Sequence, residues 1–326
     1  MPTVSFILPA YKRRFLAEAI ASILAQTCGD FELVVVDDGS PEGLAEVVGA
    51  FDDVRLRYLR YDTNLGRCDL VAAWNRAFAE AKGEFTVLAS DDDRYHPAYL
   101  EEMLSLAARY PAVDLFHCRL SFIDAEGRVC GTSEVRAEHE SAVWFLYNRG
   151  VRHLGQCAPD FMFRTAALRA CGGFVPMPRA WYADDATWMM LARRGGVAYS
   201  PRILFDWRAS GVNISTDFSD AAEKLVAGER FRGWVRRYLK TLTPATEEES
   251  AMLAGMPHDL DVMIDAMSFW VFRHLSPVRA WRAICSVDDR WAGRMRFVGR
   301  MVRAAFRRMA ASFGGKARAG GGNMVQ

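Results

Sequence analysis

Two short stretches near the start of the chain are apolar on almost every residue rather than on alternate ones. Val4-Ser5-Phe6-Ile7-Leu8 stops at Pro9, and Phe31-Glu32-Leu33-Val34-Val35-Val36 stops at Asp37-Asp38-Gly39-Ser40. A strand that is apolar on both faces must be covered on both faces, which points to a parallel sheet between layers of helices. Between the two runs, Phe15, Ala19, Ile20, Ile23 and Leu24 recur at helical spacing and complete a βαβ unit. A third run, Phe85-Thr86-Val87-Leu88-Ala89, ends in Ser90 and then Asp91, Asp92 and Asp93. Ligands of such sheets collect beyond the carboxyl ends of the strands, so Pro9-Ala10-Tyr11, Asp37-Asp38 and the acid triplet are expected to share one crevice. Three adjoining carboxylates repel one another and are costly to desolvate, which favours a divalent metal or a cationic partner among them. A solvated turn capping the helix that begins near Pro97 would use the same residues.

With 326 residues, 51% of them apolar, the chain can bury one substantial core and keep about a hundred residues for an appendage. It contains no run of about twenty apolar residues and no signal-peptide pattern, so a cytoplasmic protein is expected. Its seven cysteines have no CxxC spacing and are expected to be free thiols. Leu8-Pro9-Ala10-Tyr11 is not the GxGxxG of a dinucleotide-binding dehydrogenase, and GxxxxGK[ST] and HExxH are also absent. Net charge is +1, but from Ser276 onward there are eleven Lys plus Arg against two acids. In that tail Trp291, Met295, Val298, Val302, Phe306 and Met309 lie at helical spacing among arginines. Such a basic amphipathic helix, within residues 287–310, suits an anionic membrane surface; alternatively its stripe packs on the catalytic domain or a second subunit. No nucleic-acid partner is expected, because the aromatics follow a helix stripe rather than a stacking surface. An oligomer remains open.

The ordered motifs of residues 3–215 resemble the inverting nucleotide-sugar glycosyltransferases of family 2. The resemblance is carried by Pro9-Ala10-Tyr11, Ser22-Ile23-Leu24-Ala25-Gln26-Thr27, Val36-Asp37-Asp38-Gly39-Ser40, Asn64-Leu65-Gly66-Arg67, Trp74-Asn75 and Ala81-Lys82-Gly83-Glu84-Phe85. It continues through the acid triplet with Pro97, Gly172-Gly173-Phe174 and Asp184-Asp185. It implies an α/β GT-A fold, a Rossmann-like, mostly parallel mixed sheet flanked by helices. The expected division is a catalytic domain over 1–219, a helical C-terminal region over 220–313 and a disordered tail over 314–326.

The resemblance also assigns roles. The donor is a nucleotide sugar, most simply a UDP-sugar, and the acceptor a glycan or lipid-linked hydroxyl in surface polysaccharide or glycolipid synthesis. Pro9 and Tyr11 would border the nucleotide, Asp38 would accept a hydrogen bond from the base, and Arg67 and Arg208 would approach the diphosphate. Arg208 falls in Trp207–Ser215, which reads as a flexible closing loop. Asp91 and Asp93, with Asp92 beside them, would hold Mg²⁺ or Mn²⁺ against the donor phosphates, because hard cations take carboxylate oxygens. The family usually shows Asp-x-Asp-Asp, where this chain has Ser90 in the first place if aligned on Pro97. Many relatives add a histidine ligand near the closing loop, and none stands there. Inversion needs a base for the acceptor hydroxyl, and Asp185, ahead of Asp184 beside it, would supply it. Asp185 matches the second member of the family pair, whereas the spacing to Gly195 favours Asp184. Gly173 and Trp181 would shape the acceptor site. A catalytically silent nucleotide-sugar-binding subunit is the rival reading.

Overall fold

The computed structural model describes residues 1–211, 213, 217–287 and 291–314, with the side chains of Trp291 and of residues 309–314 left aside. The first half alternates strand and helix: β1 (Val4–Ala10), α1 (Leu16–Leu24), β2 (Phe31–Asp37), α2 (Leu44–Val48), β3 (Leu56–Arg60), α3 (Leu70–Phe78) and β4 (Phe85–Leu88). The strands β1, β2, β3 and β4 pair in parallel in the order β3-β2-β1-β4. Alternation explains their near-uniform apolarity. Phe6, Leu8, Leu33, Val35 and Val87 belong to one core layer, and Ile7, Val34, Val36 and Leu88 belong to the other.

Antiparallel pieces then extend the sheet: β5 (Arg94–Tyr95), α4 (Tyr99–Arg109), β6 (Leu115–Ile123), β7 (Val129–Thr132), β8 (His139–Glu140), α5 (Ala142–Gly150), β9 (Phe161–Arg164), α6 (Thr165–Ala170), α7 (Ala183–Ala192) and β10 (Val197–Arg208). The order continues β4-β9-β6-β10-β5, with β9 antiparallel to both neighbours and β10 parallel to β6. The result is a mixed ten-stranded sheet of GT-A type between helices.

Four helices complete the described chain, α8 (Ala221–Leu239), α9 (Glu247–Phe272), α10 (Pro277–Val287) and α11 (Trp291–Gly314). They enclose a third core around Leu225, Val271, Ile284, Phe297 and Met301. Ion pairs lock them together: Arg232 meets Asp261 and Asp265, each at 2.6 Å, and Arg300 meets Glu229 at 2.6 Å.

The face of α11 differs from the sequence expectation. Phe297, Met301 and Ala304 are buried, whereas Met295, Val302 and Phe306 are exposed. The first set recurs at intervals of four and three and the second at seven and four, so the helix carries two apolar seams, and packing against α9 and α10 decides which is covered. Arg300 is likewise part of the ion-pair network rather than a solvated charge. Of the tail expected to be disordered, residues 315–326 lie outside the described residues.

Candidate active site

The parallel strands end level with one another because their register is fixed by paired backbone: Ala10 lies opposite Asp37, and Ile7 opposite Leu88. The polar residues just past these ends therefore meet. The Asp91 carboxylate accepts hydrogen bonds from the Tyr11 and Lys12 amides at 2.9 and 2.8 Å, tying the end of β4 to the end of β1. The Ser40 hydroxyl donates to the Tyr11 carbonyl at 2.6 Å, tying in the end of β2. Tyr11 stands out from this knot, 39% exposed and the kind of flat surface on which a base or ribose rests. Pro9 is half-buried beneath it, paired with Val36.

Asp38 is buried and turned inward. It accepts from the Leu65 and Gly66 amides at 3.2 and 2.7 Å, and it also takes the Arg76 guanidinium, which lies over the Tyr61 ring. A Cβ on Gly66 would lie 2.9 Å from the Asp38 carboxylate, so this approach needs a glycine. Arg67 follows on an exposed turn, with its amide on Asn64 and its carbonyl on Arg179. The arginine that enters this corner is Arg76, one position past the Trp74-Asn75 motif.

Asp92 and Asp93 are buried, and Asp91 is half-buried. Burial first, and the charge of Asp92 next among the raising influences, push the carboxyls of Asp91 and Asp93 upward, Asp93 strongly. Asp93 accepts from the Ser90 hydroxyl and, at 2.8 Å, from the Arg208 amide. Among the described residues no three acids, histidines or cysteines converge closely enough to hold a metal. The donor chemistry nevertheless fits one: the carboxylates are hard ligands whose crowded negative charge a divalent cation would relieve.

Arg208 departs from the closing-loop expectation. It is the last residue of β10, opposite Ile123, and its side chain is buried. The guanidinium pairs with Glu18 at 2.7 Å, donates to the Asp92 and Ala125 carbonyls, and lies over the Phe15 ring. It braces the acid triplet from within the protein instead of facing a diphosphate. Residues 212 and 214–216 of the expected loop lie outside the described residues.

The second half of the site is a tight turn. Arg179, Ala180 and Tyr182 hold φ of 55, 54 and 68°, left-handed values that cost non-glycine residues on the order of 1 kcal/mol or more each. External ties sustain the turn: Arg179 pairs with Asp220 at 2.5 Å, and Tyr182 stacks on Phe231 with ring centres 4.5 Å apart. Trp181 between them is half-buried under the Lys224 ammonium, 4.4 Å from its ring. Gly173 is bound elsewhere. Its φ is 97°, and a Cβ there would lie 2.3 Å from the Asn75 side-chain oxygen, which accepts from Phe174 at 2.9 Å. Its geometry serves this packing.

From this turn α7 delivers Asp184 and Asp185 in different states. Asp185 is buried in a two-pronged pair with Arg149, at 2.6 and 3.2 Å, with the Gln156 amide at 3.4 Å. For Asp184, burial first and then the charge of Asp185 push the carboxyl up to about 7, against the pull of Arg149. The Cys157 thiol joins the two halves of the site: burial raises its pKa well above the usual thiol value, and the charges of Asp160, Asp93 and Asp184 all add to it. Beneath lies a buried pair, His117 and Asp160, 3.5 Å apart. Sequence reasoning missed Arg149, which sits in an unremarkable helix end 36 residues from its partner. Arg76 was legible only as the neighbour of the Trp74-Asn75 motif.

A family model described as glycosyl transferase family 2 matches residues 5–167. A putative colanic acid biosynthesis glycosyl transferase, WcaA of Escherichia coli, is 36% identical over 107 residues, which is 32% of this chain and only 37% of that protein. The fold resembles S. aureus TarS in complex with UDP-GlcNAc, with TM-score 0.59 and 16% identity over 89% of this chain and 91% of that one. It also resembles the mannosyltransferase PcManGT of Pyrobaculum calidifontis in complex with GDP-Man and Mn²⁺, with TM-score 0.55 and 16% identity over 94% of this chain and 87% of that one.

The two aspartates should separate on substitution. Asp185→Asn leaves Arg149 without its counter-charge and is expected to cost about 3 kcal/mol in chemical denaturation. Asp184 ionises at about 7 when folded against 3.8 unfolded, so on its account stability falls as pH rises from about 4 to 7. Asp184→Asn removes that penalty, and its melting temperature at pH 8 should equal or exceed the wild-type value.

Proposed function

The chain belongs to glycosyl transferase family 2, and from that premise we propose an inverting transfer of a sugar from a nucleotide-sugar donor to an acceptor hydroxyl. The observation that carries this reading is the division of labour between Asp184 and Asp185. A general base at neutral pH needs a pKa near 7, and burial beside the charge of Asp185 pushes the Asp184 carboxyl up to about 7. Asp185 is committed to Arg149 and holds the start of α7 in place. These observations support Asp184 as the base in place of Asp185, and it is the member of the pair that the spacing to Gly195 favours.

In the proposed step the Asp184 carboxylate takes the proton of the acceptor hydroxyl as its oxygen bonds to the anomeric carbon. The bond from that carbon to the diphosphate oxygen breaks on the opposite face, and the diphosphate leaves with the electron pair. Tyr11 packs beside the ribose or base, with Pro9 supporting it. Asp38 and Arg76 shape the corner behind it, and the exposed Arg67 side chain turns toward the diphosphate. Asp91 and Asp93, with Asp92 beside them, are the residues that would hold Mg²⁺ or Mn²⁺, which supplies charge neutralisation to the departing phosphate. Trp181 gives the acceptor sugar an apolar wall. We place the donor among UDP-sugars and the product in surface polysaccharide or glycolipid.

The protein is proposed to work peripherally on the inner face of the cell membrane. No described helix is long and apolar enough to cross a membrane. The exposed seam of α11, Met295, Val302 and Phe306, lies among the exposed Arg296, Arg303, Arg307 and Arg308, a composition suited to anionic headgroups.

Asp184→Asn should bind nucleotide normally and lose more than about 10²-fold in turnover, the scale of a lost general base. In the wild type, kcat/KM should rise tenfold per pH unit up to about 7 and then level, because the base must be deprotonated. Full turnover in the variant would remove Asp184 from the mechanism. Calorimetric titration of UDP, GDP, CMP and dTDP with and without Mn²⁺ tests the donor end: one nucleotide should bind, and Asp91→Ala with Asp93→Ala should abolish the Mn²⁺ dependence. Binding of none would favour the silent-subunit reading. Replacing Arg296, Arg303 and Arg308 together by Gln should weaken sedimentation with phosphatidylglycerol-containing vesicles by about 10²-fold, at about 1 kcal/mol per cation. Unchanged sedimentation would refute the membrane role.

A further inference from the structure

An open groove of about 610 Å³ runs between the end of α5, the middle of α9 and the basic helix α11. Its floor is apolar and adaptable, made by Val262, Met263 and Met267 of α9, all half-buried. Its rim is ionisable, with His153 at one end, Asp259 in the wall and Arg307 from α11. Arg307 is exposed, and among the described residues it has no ion-pair partner. At the other end, His153 lies within electrostatic reach of Arg149 and Asp185, so the groove approaches the catalytic pair from the side of the C-terminal helices. This is a hydrocarbon-sized trough with a cation at its rim, and its His153 end adjoins Leu154, whose carbonyl accepts from the Arg149 that holds Asp185.

We propose that the groove binds a lipid-linked acceptor, with its hydrocarbon chain along Val262, Met263 and Met267 and its phosphate at Arg307. Charge and shape select this occupant. The unpaired guanidinium suits a phosphate, which it meets with two hydrogen bonds at once. The unbranched methionines conform to a flexible chain better than to a rigid sugar face. The exposed seam of α11 would bring the same helix to the bilayer from which such an acceptor is drawn. The proposal rests on the reading of Asp184 and Asp185 as the acceptor end of the site, and it narrows the acceptor to a phosphate-bearing amphiphile.

Decyl phosphate, titrated into the full-length protein below its micelle concentration, is the probe. It should bind at least tenfold more tightly than decanol or inorganic phosphate. Ala266→Trp, at an exposed position of the groove lining, and Arg307→Glu should each weaken it more than tenfold, with nucleotide binding unchanged. Met263→Gln, which changes polarity with little change in bulk, should act in the same direction. Absence of binding, or binding indifferent to Ala266→Trp, overturns the proposal. So does loss of vesicle binding alone in that variant, which would give the groove to bilayer lipid, or dissociation of a dimer by it, which would give the groove to a second copy. Asp184→Asn should leave decyl phosphate binding intact. A failure of the base assignment would therefore appear in turnover alone and stay distinguishable from a failure here.

Discussion

The hydrogen bonds that Asp91 accepts from the Tyr11 and Lys12 amides hold the proposed donor half of the molecule together. Parallel strands deliver their last residues to one edge, but a strand ladder does not fix the path of the chain beyond its final pair. A carboxylate at the end of β4 that takes two amides from the end of β1 fixes it, and Ser40 extends the same knot to β2. The cost is negative charge gathered in a partly dehydrated corner, which raises the carboxyls of Asp91 and Asp93 and leaves the corner receptive to a cation.

A similar economy governs the proposed acceptor half. One carboxylate of the Asp184-Asp185 pair is neutralised by Arg149, and the other, with no ion pair of its own among the described residues, has its pKa raised beside it. The strained turn before α7 sets where that second carboxylate stands. It persists because Asp220 and Phe231 of the C-terminal region restrain Arg179 and Tyr182. The position of the proposed base therefore depends on helices outside the sheet.

The layout was legible wherever burial is two-sided, because β1, β2 and β4 then read as continuous apolar runs, and the acids past their ends mark the crevice. Partners contributed from distant segments were not legible. Arg149 carries no local pattern, and its role exists only once α5 packs on α7. Arg208 misled because Ser210, Gly211 and Asn213 after it read as loop, whereas the pairing of β10 with β6 carries the strand through Arg208 itself. For α11 two seams satisfied helical spacing equally, and the choice belonged to α9 and α10.

The tie between Asp220 and Arg179 has an evolutionary consequence. The strand ends of the proposed donor half are tied to one another by bonds among residues 9–93 and braced from β10 by Arg208. The proposed acceptor side is tensioned by helices that share the core of the sheet through Phe231, Val235 and Leu260 and enclose a further core of their own. Substitutions at Asp220 or Phe231 would therefore move the turn that carries Asp184 before they moved the strand ends, so a lineage of such proteins could alter the proposed acceptor side while the bonds of the proposed donor side persist.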